Sequence, residues 1–236
     1  MYGDRVALLF ISEKNVKFNS MKSTLSNITI LFILIVLLSS EAIGQQKEKG
    51  KEKENSPQGL AVGDTVQNFQ AIDADSTLYV FNEMIKKEPV VLIFIRGQWC
   101  PVCNRHMSQL QDSLQAVYKK GANVVVISPE KPEYINKTIE KTGAQFTILY
   151  DENQKISDAF DVTFEPSGKT KVIYNTVLGA KLKEAHTDDS ERLPIPATFI
   201  IDTNKVIVWR HFDPNYKNRS TVKEIIENIP EKKVKN

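Results

Sequence analysis

The sequence predicts an α/β domain in which helices cover both faces of a mixed central sheet. Three observations lead there. Residues 89–95, Pro-Val-Val-Leu-Ile-Phe-Ile, form an apolar run of the kind a central strand shows when both its faces are covered. Apolar residues at helical spacing follow it directly, at Met107, Leu110, Leu114 and Val117. Near the C-terminus two strand-like runs, 197–202 and 205–210, flank Thr203-Asn204, and a capping box at Thr221-Val222-Lys223-Glu224 opens a last helix.

Taken in order, the folded part begins near Leu60. Residues 77–81 make a short strand and 89–95 the central one. A helix runs from Cys103 to about Lys119 and closes at Gly121. Residues 122–127 form a second buried strand, 132–142 a second helix, 145–149 a third strand and 156–160 a short helix. Residues 161–193 are polar, carry Pro166, Gly168 and Gly179 and show little periodicity, so an irregular insertion is expected there. The closing hairpin and helix complete a mixed sheet.

The chain of 236 residues is 41% apolar and 25% charged, an ordinary globular composition. Its formal net charge is +2, and no basic cluster with interleaved aromatics points to nucleic acid as a partner.

Residues 28–38 form an apolar run of eleven. A membrane-spanning helix needs about 20 apolar residues, so the run suits the central region of a secretory signal. Lys22 supplies the positive flank, Ala42-Ile43-Gly44 the small residues of a cleavage site, and Met21 is the expected translation start. The alternative is an uncleaved anchor, and either way the domain is expected outside the cytoplasm, in the periplasm. Removing residues 1–44 takes away four basic and three acidic side chains and leaves 27 against 26. Residues 45–58 alternate charges and carry no apolar side chain, so they read as a disordered linker. The expected organisation is therefore 1–44 extension and signal, 45–58 linker, 59–230 domain and 231–236 tail.

Both cysteines lie in one C-x-x-C, Cys100-Pro101-Val102-Cys103, where the central strand meets the helix. A helix N-terminus offers unpaired N–H groups and about half a positive charge, which stabilises a thiolate. Pro101 falls in the first turn, where its missing N–H costs nothing. The spacing lets the second thiol close a small disulfide ring, so Cys100 is expected to be the exposed nucleophile and Cys103 the buried resolving thiol. A purely structural disulfide would stabilise little across so short a loop. A zinc site wants about four ligands, and beyond His106 only His186 and His211 remain. No cofactor or metal is expected.

The segment Phe94-Ile95-Arg96-Gly97-Gln98-Trp99-Cys100-Pro101-Val102-Cys103 resembles the active-site segment of peroxiredoxin-like proteins in the AhpC/TSA (redoxin) group of the thioredoxin superfamily. Residues 193–202 resemble that group's cis-proline strand, and 213–219 the segment after it. The similarity covers about residues 57–230. It implies a thioredoxin fold with an insertion before the cis-proline strand and Pro196 beside the cysteines. A cis bond there would turn the backbone of Ile195 toward a substrate chain.

Typical peroxiredoxins carry P-x-x-x-T-x-x-C and a later arginine. Laid on this sequence, the cysteine of that motif is Cys103, its threonine is replaced by Cys100, its proline by Arg96 and the later arginine by Pro196. That favours thiol–disulfide exchange. The buried aspartate of thioredoxins is replaced by Phe94. Arg96 is expected either to lower a thiol pKa or hold an oxyanion, or else to pair with a surface carboxylate. Trp99 is expected to shield the Cys100 sulfur, and His106 to be half exposed. The expected function is an exported thiol–disulfide oxidoreductase acting on a thiol or disulfide protein partner. The alternatives are a thioredoxin-dependent thiol peroxidase reducing hydroperoxides with electrons from a thioredoxin-like donor, and a copper metallochaperone of the Sco type, whose C-x-x-x-C is one residue longer.

Overall fold

The structure, a computed structural model, describes residues 56–231. The expected signal, most of the expected linker and all but the first residue of the expected tail lie outside the described residues. Among the described residues no helix is long and apolar enough to cross a membrane.

The described chain opens with an antiparallel ribbon of β1 (Gln70–Ile72) and β2 (Leu78–Val80), then a single turn, α1 (Phe81–Met84). β3 (Val90–Phe94) follows, its five side chains all fully buried. They alternate between two cores. Val91 and Ile93 pack on the face that carries the cysteines, while Val90, Leu92 and Phe94 pack on the other. Period-two alternation with apolar residues on both faces is why the sequence run is unbroken. Each such side chain contributes about 1.5–3 kcal/mol by leaving water.

The expected helix after β3 is two: α2 (Pro101–Asp112) and α3 (Leu114–Lys119), broken at Ser113, whose φ of −110° and ψ of 9° lie outside the helix. Apolar spacing carries through the break, since Met107, Leu110, Leu114 and Val117 enter the same core, so periodicity alone could not reveal it. β4 (Asn123–Ser128), α4 (Pro132–Thr142), β5 (Thr147–Tyr150) and α5 (Lys155–Ala159) follow, with α4 ending at Gly143 in the left-handed region (φ 67°).

The 161–193 stretch is not irregular. It holds β6 (Thr163–Phe164), α6 (Gly168–Thr176), α7 (Leu182–Ala185) and β7 (Leu193–Pro194), with β6 and β7 paired antiparallel. Ser167 caps α6 by accepting the Thr170 N–H, and Tyr174, Leu182 and Ala185 are buried. These elements are too short for a periodic signal, and long-range burial decides them.

β8 (Ala197–Ile201) and β9 (Ile207–Phe212) form the expected hairpin, and α8 (Val222–Asn228) has the expected capping box between Thr221 and Glu224. The sheet order is β5-β4-β3-β8-β9. β3, β4 and β5 are mutually parallel neighbours, and β8 runs antiparallel to both β3 and β9. With α2 on one face and Phe81 of α1 and Ile156 of α5 on the other, this is a thioredoxin fold with a mixed five-stranded sheet.

The bond before Pro196 is trans, as is every other among the described residues. The Ile195 N–H, expected to face a substrate chain, donates instead to the Val162 carbonyl (2.7 Å). Pairing with the β6–β7 ribbon takes up the donor that a cis-proline loop would present.

Candidate active site

β3 ends at Phe94, and the chain turns through residues 95–99 into α2. Gly97 makes that turn with φ +137°, and its carbonyl accepts the Cys100 N–H (3.1 Å). Cys100 is the N-cap of α2, with Pro101 in the first turn. Its Sγ accepts the Cys103 amide N–H at 3.3 Å, so one of the orphan donors of the helix is satisfied by sulfur. Asn104 donates to the Gln98 carbonyl (2.8 Å) and ties the turn to the helix.

Each sulfur has its own guanidinium. Arg96 Nη2 donates to Cys100 Sγ (3.2 Å) and its Nη1 to Tyr174 Oη (2.9 Å). Arg219 Nη2 donates to Cys103 Sγ (3.3 Å), while its Nε donates to the Tyr216 carbonyl. Arg96 is only 1% exposed, so the reading of a surface arginine paired with a carboxylate does not hold. Its guanidinium carbon lies 3.8 Å from the Tyr216 ring centroid, 5.0 Å from Trp99 and 5.2 Å from Tyr174, an aromatic enclosure that suits a weakly hydrated cation.

Both sulfurs are buried, which corrects the expectation of an exposed Cys100. Trp99 is buried in the same core cluster as both cysteines. Trp99 packs on Tyr174 (ring centroids 4.8 Å apart) and beside Arg96. The surroundings shift the two thiols in opposite directions. Burial alone would push Cys103 up, but the hydrogen bond with Cys100, the charge of Arg219 and that of Arg96 hold it well below an ordinary thiol. Cys100 is pushed up because its proton bonds to Cys103 and because it is buried, with Arg96 pulling the other way. A coupled pair of this kind gives up one proton easily and the second with difficulty.

Behind the turn lies Glu130, two residues past β4 and fully buried. Its Oε2 accepts the Gln98 N–H (2.7 Å), and its Oε1 has no partner. Burial raises it to about 8, and the charge on Cys103 adds to the rise. The Gln98 amide, Lys141 and Lys137 oppose it. Lys141 in turn bonds the side chain of Gln98.

His106, expected to be half exposed, is 4% exposed, because α2 turns it under the segment before α8. Neither ring nitrogen makes a well-formed hydrogen bond, and the Ser220 backbone is the polar group beside it. Burial and the neighbouring Arg219 lower it to about 4. His186 is also buried and lowered to about 4, chiefly by burial. Among the described residues no group of three or more His, Cys, Asp or Glu is placed to hold a metal ion.

Arg96, Trp99, Cys100, Pro101 and Cys103 thus come together at one strand–helix junction, while Pro196 is buried at the entry to β8. Sequence reasoning missed Tyr174, Tyr216, Arg219 and Glu130. Arg219 ends the 213–219 segment, so the resemblance already pointed to its neighbourhood. Tyr174 gave no signal, because it lies in the stretch read as irregular.

The family model described as the AhpC/TSA family matches residues 62–210. Peroxiredoxin Bcp of Escherichia coli (strain K12) is 30% identical over 113 residues, 47% of this chain and 72% of that protein. The thiol-disulfide oxidoreductase ResA of Bacillus anthracis is 22% identical over 161 residues, 64% of this chain and 88% of that protein. Among solved structures, peroxidoxin BcpB from Mycobacterium tuberculosis aligns with a TM-score of 0.57 at 18% identity, covering 72% of this chain and 96% of that one.

Proposed function

The chain belongs to the AhpC/TSA family and is a thiol-dependent oxidoreductase; we propose that it performs thiol–disulfide exchange by cycling Cys100 and Cys103 between dithiol and disulfide. The observation that carries this reading is the pairing of two adjacent sulfurs with two separate guanidiniums, Arg96 on Cys100 and Arg219 on Cys103. One cation would activate one thiol. Two keep the pair charged whichever sulfur holds the remaining proton, which exchange requires at both of its steps.

The steps follow from that charge. The Cys103 thiolate takes the Cys100 proton as Cys100 attacks one sulfur of a partner disulfide. A mixed disulfide forms, and the partner's other sulfur leaves as a thiolate that takes the proton now on Cys103. The Cys103 thiolate so restored attacks Cys100 Sγ, breaking the mixed disulfide and releasing the second partner sulfur as a thiolate that takes a proton from water. One disulfide and one dithiol have become two thiols and one disulfide. Opening of the Trp99 side is needed first, because both sulfurs are closed to a protein partner in the described state.

Arg219 favours a second reading. A charged Cys103 beside a guanidinium could attack a hydroperoxide, giving a sulfenic acid and an alcohol or water. Cys100 would then condense with it, expelling water and closing the same disulfide. We place either reaction outside the cytoplasm, on the strength of the apolar run at 28–38 and the small residues at 42–44.

The deciding experiment mixes the reduced, metal-free full chain with one equivalent of hydrogen peroxide and follows tryptophan fluorescence by stopped flow, with Cys100→Ser and Cys103→Ser as controls. Oxidation no faster than a free thiol, together with fast exchange against a model disulfide, supports disulfide exchange. Oxidation orders of magnitude faster, lost in Cys103→Ser, makes the protein a peroxidase.

A further inference from the structure

We propose that the groove beside the sulfur pair binds the carboxylate of a small anionic substrate, so that the disulfide the pair exchanges with is a low-molecular-weight one bearing a carboxylate. This rests on the reading of Cys100 and Cys103 as the redox centre and names the substrate class of that same site.

The groove has a volume of about 510 Å³ and lies between α2 and the segment that leads into α8. That is the size of a small-molecule site. Val102 and Val222 give it apolar lining, and Arg105, Lys217 and Arg219 give it three cations against the single carboxylate of Asp112. Arg105, Lys217 and Asp112 join no ion pair among the described residues, and Arg219 is engaged with Cys103 Sγ, so Arg105 and Lys217 against Asp112 are the charges left to meet a ligand. His106 also lines the groove, buried and with neither ring nitrogen in a well-formed hydrogen bond. A buried imidazole N–H costs free energy until it finds an acceptor, and a carboxylate in the groove is such an acceptor.

Arg219 lines the groove, and the same guanidinium donates to Cys103 Sγ. A carboxylate held by Arg105, Lys217 and His106 therefore places a sulfur a few bonds away next to the reacting pair. A cationic substrate meets three like charges on the same path.

The test uses the reduced full chain and three disulfides of similar size: 3,3′-dithiodipropionate (anionic), bis(2-hydroxyethyl) disulfide (neutral) and cystamine (cationic). Each rate of oxidation is divided by the rate of the same disulfide with dithiothreitol, which removes intrinsic reactivity. The expected order is anionic over neutral over cationic, with an advantage of about 10-fold or more that shrinks as salt is raised. In Arg105→Glu/Lys217→Glu, both exposed positions, the order reverses. Equal normalised rates in the wild-type chain, or an order unchanged in the variant, overturn the proposal. Suberate, the all-carbon analogue of the dianion, separates the two readings. If it shifts the His106 imidazole signals while no disulfide oxidises the pair, the groove binds carboxylates and the redox reading is what fails. If it leaves His106 unmoved, the groove proposal fails whatever the sulfurs do.

Discussion

Glu130 sits so close behind Gly97 that a Cβ at residue 97 would lie 2.5 Å from the carboxyl carbon, nearer than real atoms pack. With φ at +137°, the backbone there also disfavours any side chain. The turn into the cysteine helix therefore depends on a glycine over a buried acid. Gly97→Ala is expected to cost about 3 kcal/mol through backbone strain and overpacking. Denaturant unfolding measures it. Glu130→Ala in the same chain should restore part of the loss, and an additive double variant would show that the two residues do not touch.

Glu130 also predicts an alkaline limb of stability. Its folded pKa of about 8 is above the ordinary carboxyl value of 4.5, so the folded state holds a proton that the unfolded state releases. The associated stability is fully present below pH 4.5 and is lost as pH rises through 8. Glu130→Gln keeps an acceptor for the Gln98 N–H and has no proton to lose. Its stability relative to wild type should rise steadily from pH 5 to 8, and a pH-independent difference would place the titration elsewhere.

The two buried histidines work from the acid side. His106 and His186 are lowered from 6.5 to about 4, so the unfolded chain takes up their protons first. Their neutral burial is harmless above pH 6.5, and stability falls as pH drops from there through 4. Each pKa difference corresponds to about 3 kcal/mol at the end of that window. His186→Gln and His106→Gln should each flatten the acid limb of an unfolding-against-pH curve.

The two arginines should be separable by thiolate titration. Arg219→Gln removes the cation beside Cys103, and the first thiol pKa of the pair is expected to rise by at least about one unit. Arg96→Lys keeps a charge but loses the fork that reaches Tyr174 and Cys100 together, so it should slow oxidation by about 10-fold. Ultraviolet absorbance of the thiolate against pH reads the first, and stopped-flow oxidation reads the second. An Arg219→Gln curve that overlays wild type would remove that residue from the charge balance of the pair.

The cap before the last helix supports this corner of the site. Thr221 accepts the Glu224 N–H and Glu224 returns a bond to the Thr221 N–H, two residues beyond Arg219. Thr221→Ala should cost about 1 kcal/mol. If the cap also positions Arg219, the first thiol pKa will rise in this variant although no charge has been removed.

Local chemistry fixed a good deal in advance. The unbroken run at 89–95 announced a strand covered on both faces, because a period-two element with two apolar faces leaves no polar gap. The stretch 132–142 read as a helix, and α4 spans Pro132–Thr142. Thr221 and Glu224 announced the last helix, and Pro101 announced a helix opening at the cysteines. Each is a property of residues within a few positions of one another.

Tertiary structure alone decided what surrounds the sulfurs. Tyr174 lies 78 residues from Arg96, and Arg219 lies 116 from Cys103, distances along the chain over which periodicity carries no information. The helices at 168–176 and 182–185 exist because Tyr174 and Leu182 are buried, not because their sequence insists on a helix. The trans bond before Pro196 and the pairing of the Ile195 N–H with the Val162 carbonyl were likewise not legible in the residues themselves. The sequence by itself placed two thiols at the mouth of a helix. Only folding surrounded them with two guanidiniums and a buried acid, because the free energy of those charges depends on who is near in space and how much water is left.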